Sequence, residues 1–245
     1  MSVDHPELVA IGVFVVYTAI VAALWKVNKV DYAAIAESRD AVVRGVVVPI
    51  GLGGVFLAIA TTVLGWWHPV LFQDGRTGPA WVLVVPVMFG LVGLLGTINI
   101  DWRSPKAALL PWLALGVLLV GFSEEMVSRG ILIVGGRDAG WSELVVVLVS
   151  CVLFGLLHGI NAFFGQSLQT TVQQIVLATV MGASFYAIRM STGTLIVCML
   201  THALWDFATL GQTTTGRGQK PAVGFLALAT FVVGLVTAGV IVATI

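Results

Sequence analysis

Ala108-Leu-Leu-Pro-Trp-Leu-Ala-Leu-Gly-Val-Leu-Leu-Val-Gly-Phe-Ser-Glu-Glu-Met-Val-Ser-Arg-Gly130 is long and apolar enough to cross a bilayer, yet it ends on Glu124, Glu125 and Arg129. A helix needs roughly 20 apolar residues to span the hydrocarbon core. Ionisable groups inside such a span are costly and point to a functional site. Composition decides that the cost applies. Of 245 residues, 58% are hydrophobic and only 10% charged, and the mean hydropathy is +1.03. A soluble domain carries about 25% charged residues, so this is an integral membrane protein.

Working outward from that stretch, apolar runs predict an all-α, polytopic transmembrane bundle of about eight spans: 7–25, 44–66, 80–98, 108–133, 142–163, 170–189, 194–211 and 222–244. Trp25, Trp66, Trp67, Trp81, Trp102 and Trp141 sit at span edges, as an interfacial aromatic belt requires. Trp205 differs in lying within the seventh span. No Lys or Arg precedes the first span, whereas Lys26, Lys29, Arg39 and Arg44 follow it. That is the reverse of a removable signal peptide, so the span is expected to stay as an anchor.

Odd-numbered loops carry those four cations with Arg103, Lys106, Arg217 and Lys220, while even loops carry Arg76, Arg137 and Arg189. Eight against three predicts both termini outside and the odd loops in the cytoplasm. The 12 basic and 12 acidic residues cancel, and no cationic run suggests nucleic acid. Partners are expected in or at the lipid bilayer. Cys151 and Cys198 fall inside spans, where a thiol is a small apolar side chain. Without a low-complexity tract or internal repeat, residues 1–245 read as one membrane domain. It divides into N-terminal spans over 1–104 of unassigned role, a core over 105–211 using spans four to seven, and a C-terminal span over 212–245.

The intramembrane polar residues form three pairs at i,i+4 spacing. Glu125 and Arg129 share a face with the acid N-terminal, the favoured order, and Glu124 projects about 100° away. Phe154-Gly-Leu-Leu-His158 sets an aromatic one turn from an imidazole. His202-Ala-Leu-Trp-Asp206 presents an imidazole and a carboxylate together. Taken singly, each has an ordinary reading: a buried ion pair, core packing, or an interhelical hydrogen bond. Three costly placements in successive helices favour one shared site.

In that order, Glu-Glu-x-x-x-Arg, Phe-x-x-x-His and His-x-x-x-Asn/Asp resemble the CPBP (Abi) family, over roughly residues 105–210. That family holds the type II CAAX prenyl endopeptidases and related bacterial and archaeal bacteriocin-processing or immunity membrane proteins. The resemblance implies a glutamic-type intramembrane endopeptidase of a prokaryotic cell membrane, using no metal or other cofactor and acting on a membrane-associated peptide or protein. It implies Glu124 as general base, His158 as its partner in activating water, His202 and Asp206 at the oxyanion, and Glu125, Arg129 and Phe154 in support.

The chemistry is consistent with those assignments. A carboxylate with an ordinary pKa near 4.3 is a weak base at neutral pH, and apolar surroundings strengthen a carboxyl as a base. Loss of an oxyanion donor costs roughly 3 to 4 kcal/mol. Asp206 is the awkward member, because an amide donates to an oxyanion whereas an ionised carboxylate repels it. It either orients His202 or is itself protonated.

Depth is a second difficulty. In unshifted spans Glu124 and His158 lie about 5 to 7 Å from their span centres in opposite directions, so stagger, tilt or a kink at Pro111 is expected to align them. Three rival readings stand beside the protease. A zinc enzyme using His158, His202 and a carboxylate lacks a His-Glu-x-x-His pattern. A non-catalytic immunity or scaffold protein would keep the fold. A proton-relaying transporter would show paired, broken helices in two repeated halves, which the sequence lacks. The resemblance implies a peptide bond near a membrane-tethered end, such as a lipidated C-terminus or a leader peptide, and no residue specifies a prenyl group or an oligomeric state.

Overall fold

A computed structural model describes residues 3–75 and 77–245; Arg76, counted above among the even loops, lies outside them. Among the described residues, eight helices are long and apolar enough to cross a membrane: α1 (Pro6–Asn28), α2 (Arg39–Leu64), α3 (Ala80–Ile98), α4 (Pro105–Asp138), α5 (Glu143–Phe164), α6 (Leu168–Thr192), α7 (Leu195–Thr214) and α8 (Pro221–Thr244). The protein is therefore a polytopic helical bundle, as its hydropathy predicts. Outward stripes such as Leu148, Val152 and Leu156 on α5 remain exposed. At one-turn spacing they make a surface suited to lipid and not to water.

Capping residues set the helix ends. Ser38, Ser167 and Thr194 accept backbone N–H groups at the starts of α2, α6 and α7, and prolines open α1 and α8 where a missing N–H costs nothing. Gly65 and Gly193 close α2 and α6 with φ of 69° and 75°, left-handed values that glycine adopts without strain. Around the bundle the packing order is α1, α2, α4, α7, α3, α8, α6, α5, with α5 returning to the far end of α4.

Two helices carry wide π turns. In α2 the turn covers Val43–Val47, just before Pro49. Proline has no N–H for the carbonyl four residues back and its ring crowds that carbonyl. The Gly45 carbonyl is taken instead by the Trp25 indole N–H of α1 at 2.7 Å. In α4 the turn covers Met126–Ile131 and begins immediately after Glu125.

The sequence ended span four at 133, but α4 continues through Gly135, Gly136 and Arg137 to Asp138. Gly135 makes this possible, since a Cβ there would meet the Pro6 carbonyl at 2.7 Å as α1 crosses. The extension removes most of the depth mismatch. Counted from the tight α4–α5 turn, Glu124 is 14 residues before Asp138 and His158 is 15 residues after Glu143. At 1.5 Å per residue both lie about 21 to 22 Å from the turn.

Arg189 also departs from expectation. Assigned to a loop, it lies within α6 at 1% exposure, and its Nη2 donates to the Pro69 carbonyl at 2.7 Å. The loop after α2 is tied to the same end, through Gln73 N–H to the Gly193 carbonyl and Thr77 N–H to the Met190 carbonyl. Arg137, also counted as a loop cation, closes α4 in a bidentate pair with Glu143, which accepts in turn from Tyr186 at 2.7 Å.

Candidate active site

Inside the ring lies a cavity of about 520 Å³, and Glu124, Phe154, His158, His202 and Asp206 all line it. Two glycine contacts draw its walls together. A Cβ on Gly121 would strike the Met199 carbonyl and touch Ala203 at 3.2 Å, so glycine lets α4 and α7 meet one turn before the glutamates. On α5, a Cβ on Gly155 would strike the Thr179 hydroxyl and the Ile175 carbonyl of α6. At Gly159, one turn on, a Cβ would have ordinary clearance at 3.7 Å, so close approach requires glycine at 155 and not at 159.

The two glutamates face different surroundings. Glu125 and Arg129 have side chains with no exposure and form an ion pair at 3.2 Å. The same Glu125 Oε1 accepts from His202 Nδ1 at 2.8 Å, so one carboxylate joins α4 to α7. Glu124 reaches the cavity, with 12% side-chain exposure and its Oε2 3.9 Å from His202 Nε2. No protein donor satisfies that Oε2. Asp206 Oδ2 lies 3.6 Å from His202 Nε2 and is more open, at 27%, a distance too long for a hydrogen bond. The carboxylate in bonding contact with His202 is therefore Glu125.

His158 Nδ1 lies 3.0 Å from the Phe154 carbonyl. A carbonyl only accepts, so Nδ1 carries a proton, and in the neutral ring Nε2 is the nitrogen that keeps its lone pair. At this residue the α-helical part of α5 ends and a tighter 3₁₀ segment, His158–Phe164, begins. Phe154 explains the Phe-x-x-x-His spacing physically. Its ring packs edge-on to His158 at 5.3 Å and to His202 at 5.9 Å, while Arg129 Cζ sits 3.9 Å above its face. That cation–π contact adds to the neutralisation of a buried guanidinium whose Nε and Nη2 lack hydrogen-bond partners.

Several residues near the site carry no sequence signal. Phe185 on α6 stacks on His202 at 4.8 Å and 21°. From α1, Tyr17 and Trp25 line the cavity, and every span except α3 contributes to its walls. Trp205 also lines it and packs against Phe89 of α3 and Phe231 of α8. Cys151 and Cys198 are buried and unbridged. Among the described residues, no three or more His, Cys, Asp and Glu side chains are arranged to hold a metal ion.

The cavity extends toward the odd-loop end. There it is bounded by Tyr32 and Ile35 of the first loop, Gly45 near the start of α2, Gln166 before α6, and Thr209 and Leu210 late in α7. Gln173, Leu177 and Thr209 both line the cavity and stand exposed, so the bundle is open on the side where the first half of α6 leaves α7.

No curated protein and no solved structure matches the chain. A family model does, over residues 106–208, a segment that runs from the start of α4 past Asp206. The segment holding Glu124, His158 and His202 is thus matched by the family described as type II CAAX prenyl endopeptidase Rce1-like, the CAAX protease-like family that its three motifs resemble.

Proposed function

We propose that the protein is an intramembrane endopeptidase that hydrolyses membrane-associated peptides by means of a water activated between Glu124 and His158. The observation that carries this reading is the shared cavity: carboxylate, free imidazole nitrogen and a second imidazole converge on one space large enough for a peptide segment. The family match supports a CAAX-type protease, and the glutamic, metal-independent chemistry is our inference from the side chains.

In the proposed reaction, Glu124 takes a proton from the water while His158 Nε2 orients it. The water oxygen adds to the scissile carbonyl carbon. Negative charge then develops on the carbonyl oxygen and is met by His202, which in its protonated form donates from Nε2 while Glu125 holds Nδ1. Collapse breaks the C–N bond, and the proton taken by Glu124 passes to the departing amine. One water is consumed, and a carboxyl and an amino group are released. The Glu125–Arg129 pair fixes the position of His202, and Asp206 sits at the rim of the oxyanion region.

Orientation follows from charge. With Arg189 inside α6, the Lys/Arg excess on the odd loops only grows, and the proposal places the cavity's odd-loop opening on the cytoplasmic side. The test is digestion of a peptide library by purified protein, with and without exhaustive chelation, beside Glu124→Gln and His158→Ala. The expected result is cleavage by wild type that survives chelation and falls by about 10² or more in each variant. Equal cleavage by all three proteins removes the protease reading, and loss on chelation removes its metal-free chemistry.

A further inference from the structure

Tyr17 on α1 carries a buried hydroxyl that no group among the described residues satisfies. The residue is 1% exposed and lines the same cavity as Glu124. A buried hydroxyl without a partner is costly, and phenylalanine would fill the same space without that cost. Packing therefore accounts for the ring and leaves the oxygen unexplained. α1 lies outside the matched segment 106–208, so the family match assigns this residue no role.

Two adjacent glycines of α2 bring Tyr17 to the base. In the ring of helices α2 stands between α1 and α4. A Cβ on Gly53 would meet Tyr17 Cε2 at 2.6 Å, and a Cβ on Gly54 would meet Ser123 Oγ at 2.8 Å. Side chains from α1 and α4 thus lie against one bare patch of α2 backbone, and Ser123 is the residue before Glu124. Ser123 Oγ is held at that patch by donating to the Ile50 carbonyl at 3.4 Å. The Tyr17 phenol stands in the electrostatic field of the Glu124 carboxylate. No direct hydrogen bond joins them, since Glu124 Oε2 and the Tyr17 hydroxyl are both without a partner among the described residues.

An unpartnered donor and an unpartnered acceptor on one cavity are complementary through a single water. Water has two protons to give and two lone pairs. In the proposed hydrolysis the protons point to Glu124 and His158, and one lone pair attacks the scissile carbonyl carbon. The other lone pair needs a donor, which neither a carboxylate nor an accepting imidazole nitrogen supplies. A neutral phenol supplies it without adding charge to the cavity.

We propose that Tyr17 is a further catalytic group, its hydroxyl donating to the oxygen of the water that Glu124 deprotonates and so aiming the free lone pair at the scissile carbonyl. This rests on the endopeptidase reading and adds a residue of α1 to its water site. Tyr17 keeps its own proton throughout. The water gives one proton to Glu124, its oxygen bonds to the carbonyl carbon, and the Tyr17 hydrogen bond follows that oxygen into the tetrahedral intermediate.

The test is steady-state kinetics beside thermal unfolding, with purified full-length protein in lipid nanodiscs and the library peptide that wild type cleaves fastest. The variants are Tyr17→Phe, Glu124→Gln and the two combined. Tyr17→Phe is expected to match or exceed the wild-type unfolding midpoint, because the hydroxyl has no protein partner to lose. Its KM should stay within about twofold of wild type while kcat falls about tenfold, the worth of one hydrogen bond to a reacting atom. In the Glu124→Gln background the same change should add no further loss, as expected of groups that act on one water. A Tyr17→Phe kcat equal to wild type, an equal loss in the Glu124→Gln background, or a lowered midpoint overturns the inference. Loss in Glu124→Gln with none in Tyr17→Phe keeps the protease and removes only the role of Tyr17. Equal cleavage by wild type and Glu124→Gln, or none by wild type, removes the protease and this inference with it.

Discussion

At the scale of single residues, the site separates two adjacent carboxylates by surroundings alone. Glu125 is closed off between Arg129 and His202, and Glu124 faces the cavity. Removing the charge of Glu125 leaves Arg129 as an uncompensated buried cation, a change that costs about 3 to 5 kcal/mol. Glu125→Gln is therefore expected to lower the thermal unfolding midpoint in detergent markedly, and an unchanged midpoint would show that the pair does not hold α4 together. Asp206 gives a sharper result. Because His202 is oriented from its other nitrogen by Glu125 at 2.8 Å, Asp206→Asn is expected to retain or raise cleavage, its amide now able to donate to the oxyanion. A loss beyond about 10² in rate would instead assign the orienting role to Asp206. The three paired motifs were legible at this scale because intramembrane charge is rare and conspicuous. Phe185 and Tyr17 were not, since an aromatic in an apolar helix has the same appearance whether it stacks on a histidine or on lipid.

At the scale of elements, hydropathy located all eight spans, because a bilayer demands long uninterrupted apolar helices. It misplaced the end of α4 and the setting of Arg189 for a common reason. Gly135-Gly136-Arg137-Asp138 and Arg189 look like loop in a local window, and only tertiary contacts carry them as helix: α1 crossing at Gly135, Glu143 on Arg137, the Pro69 carbonyl on Arg189. That misplacement made Glu124 and His158 look displaced in depth. Close helix approach is the second condition for the site. Gly121→Val is expected to push α7 from α4, reducing stability by about 1 to 3 kcal/mol and cleavage more steeply, because Glu124 and His202 sit on opposite sides of that contact. Cleavage at the wild-type rate would show that the α4–α7 separation does not set the site. The wide turn in α2 makes a separate prediction. Trp25→Phe strips the Gly45 carbonyl of its donor and should cost about 1 to 3 kcal/mol, read as a lower unfolding midpoint, whereas an unshifted midpoint would mean water replaces the indole.

At the scale of the whole molecule, the helices outside the family match are part of the site's enclosure. Trp25 and Tyr17 come from α1, Ile50 from α2 and Phe231 from α8, and together with the loop residue Tyr32 they close a space that α4 to α7 alone would leave open. The same arrangement orients the opening toward the odd loops. Since Cys151 and Cys198 are buried, a cysteine placed at Ser104 or Gln219 should react with an impermeant maleimide only from the cytoplasmic side, and labelling from outside would invert the topology. The central claim is narrower than topology and falls on one side chain. The most direct measurement is peptide cleavage by Glu124→Gln set beside its unfolding midpoint. Its Oε2 has no protein partner to lose, so the midpoint should match that of wild type while hydrolysis falls by about 10² or more. A folded Glu124→Gln protein that cleaves at the wild-type rate would contradict the account.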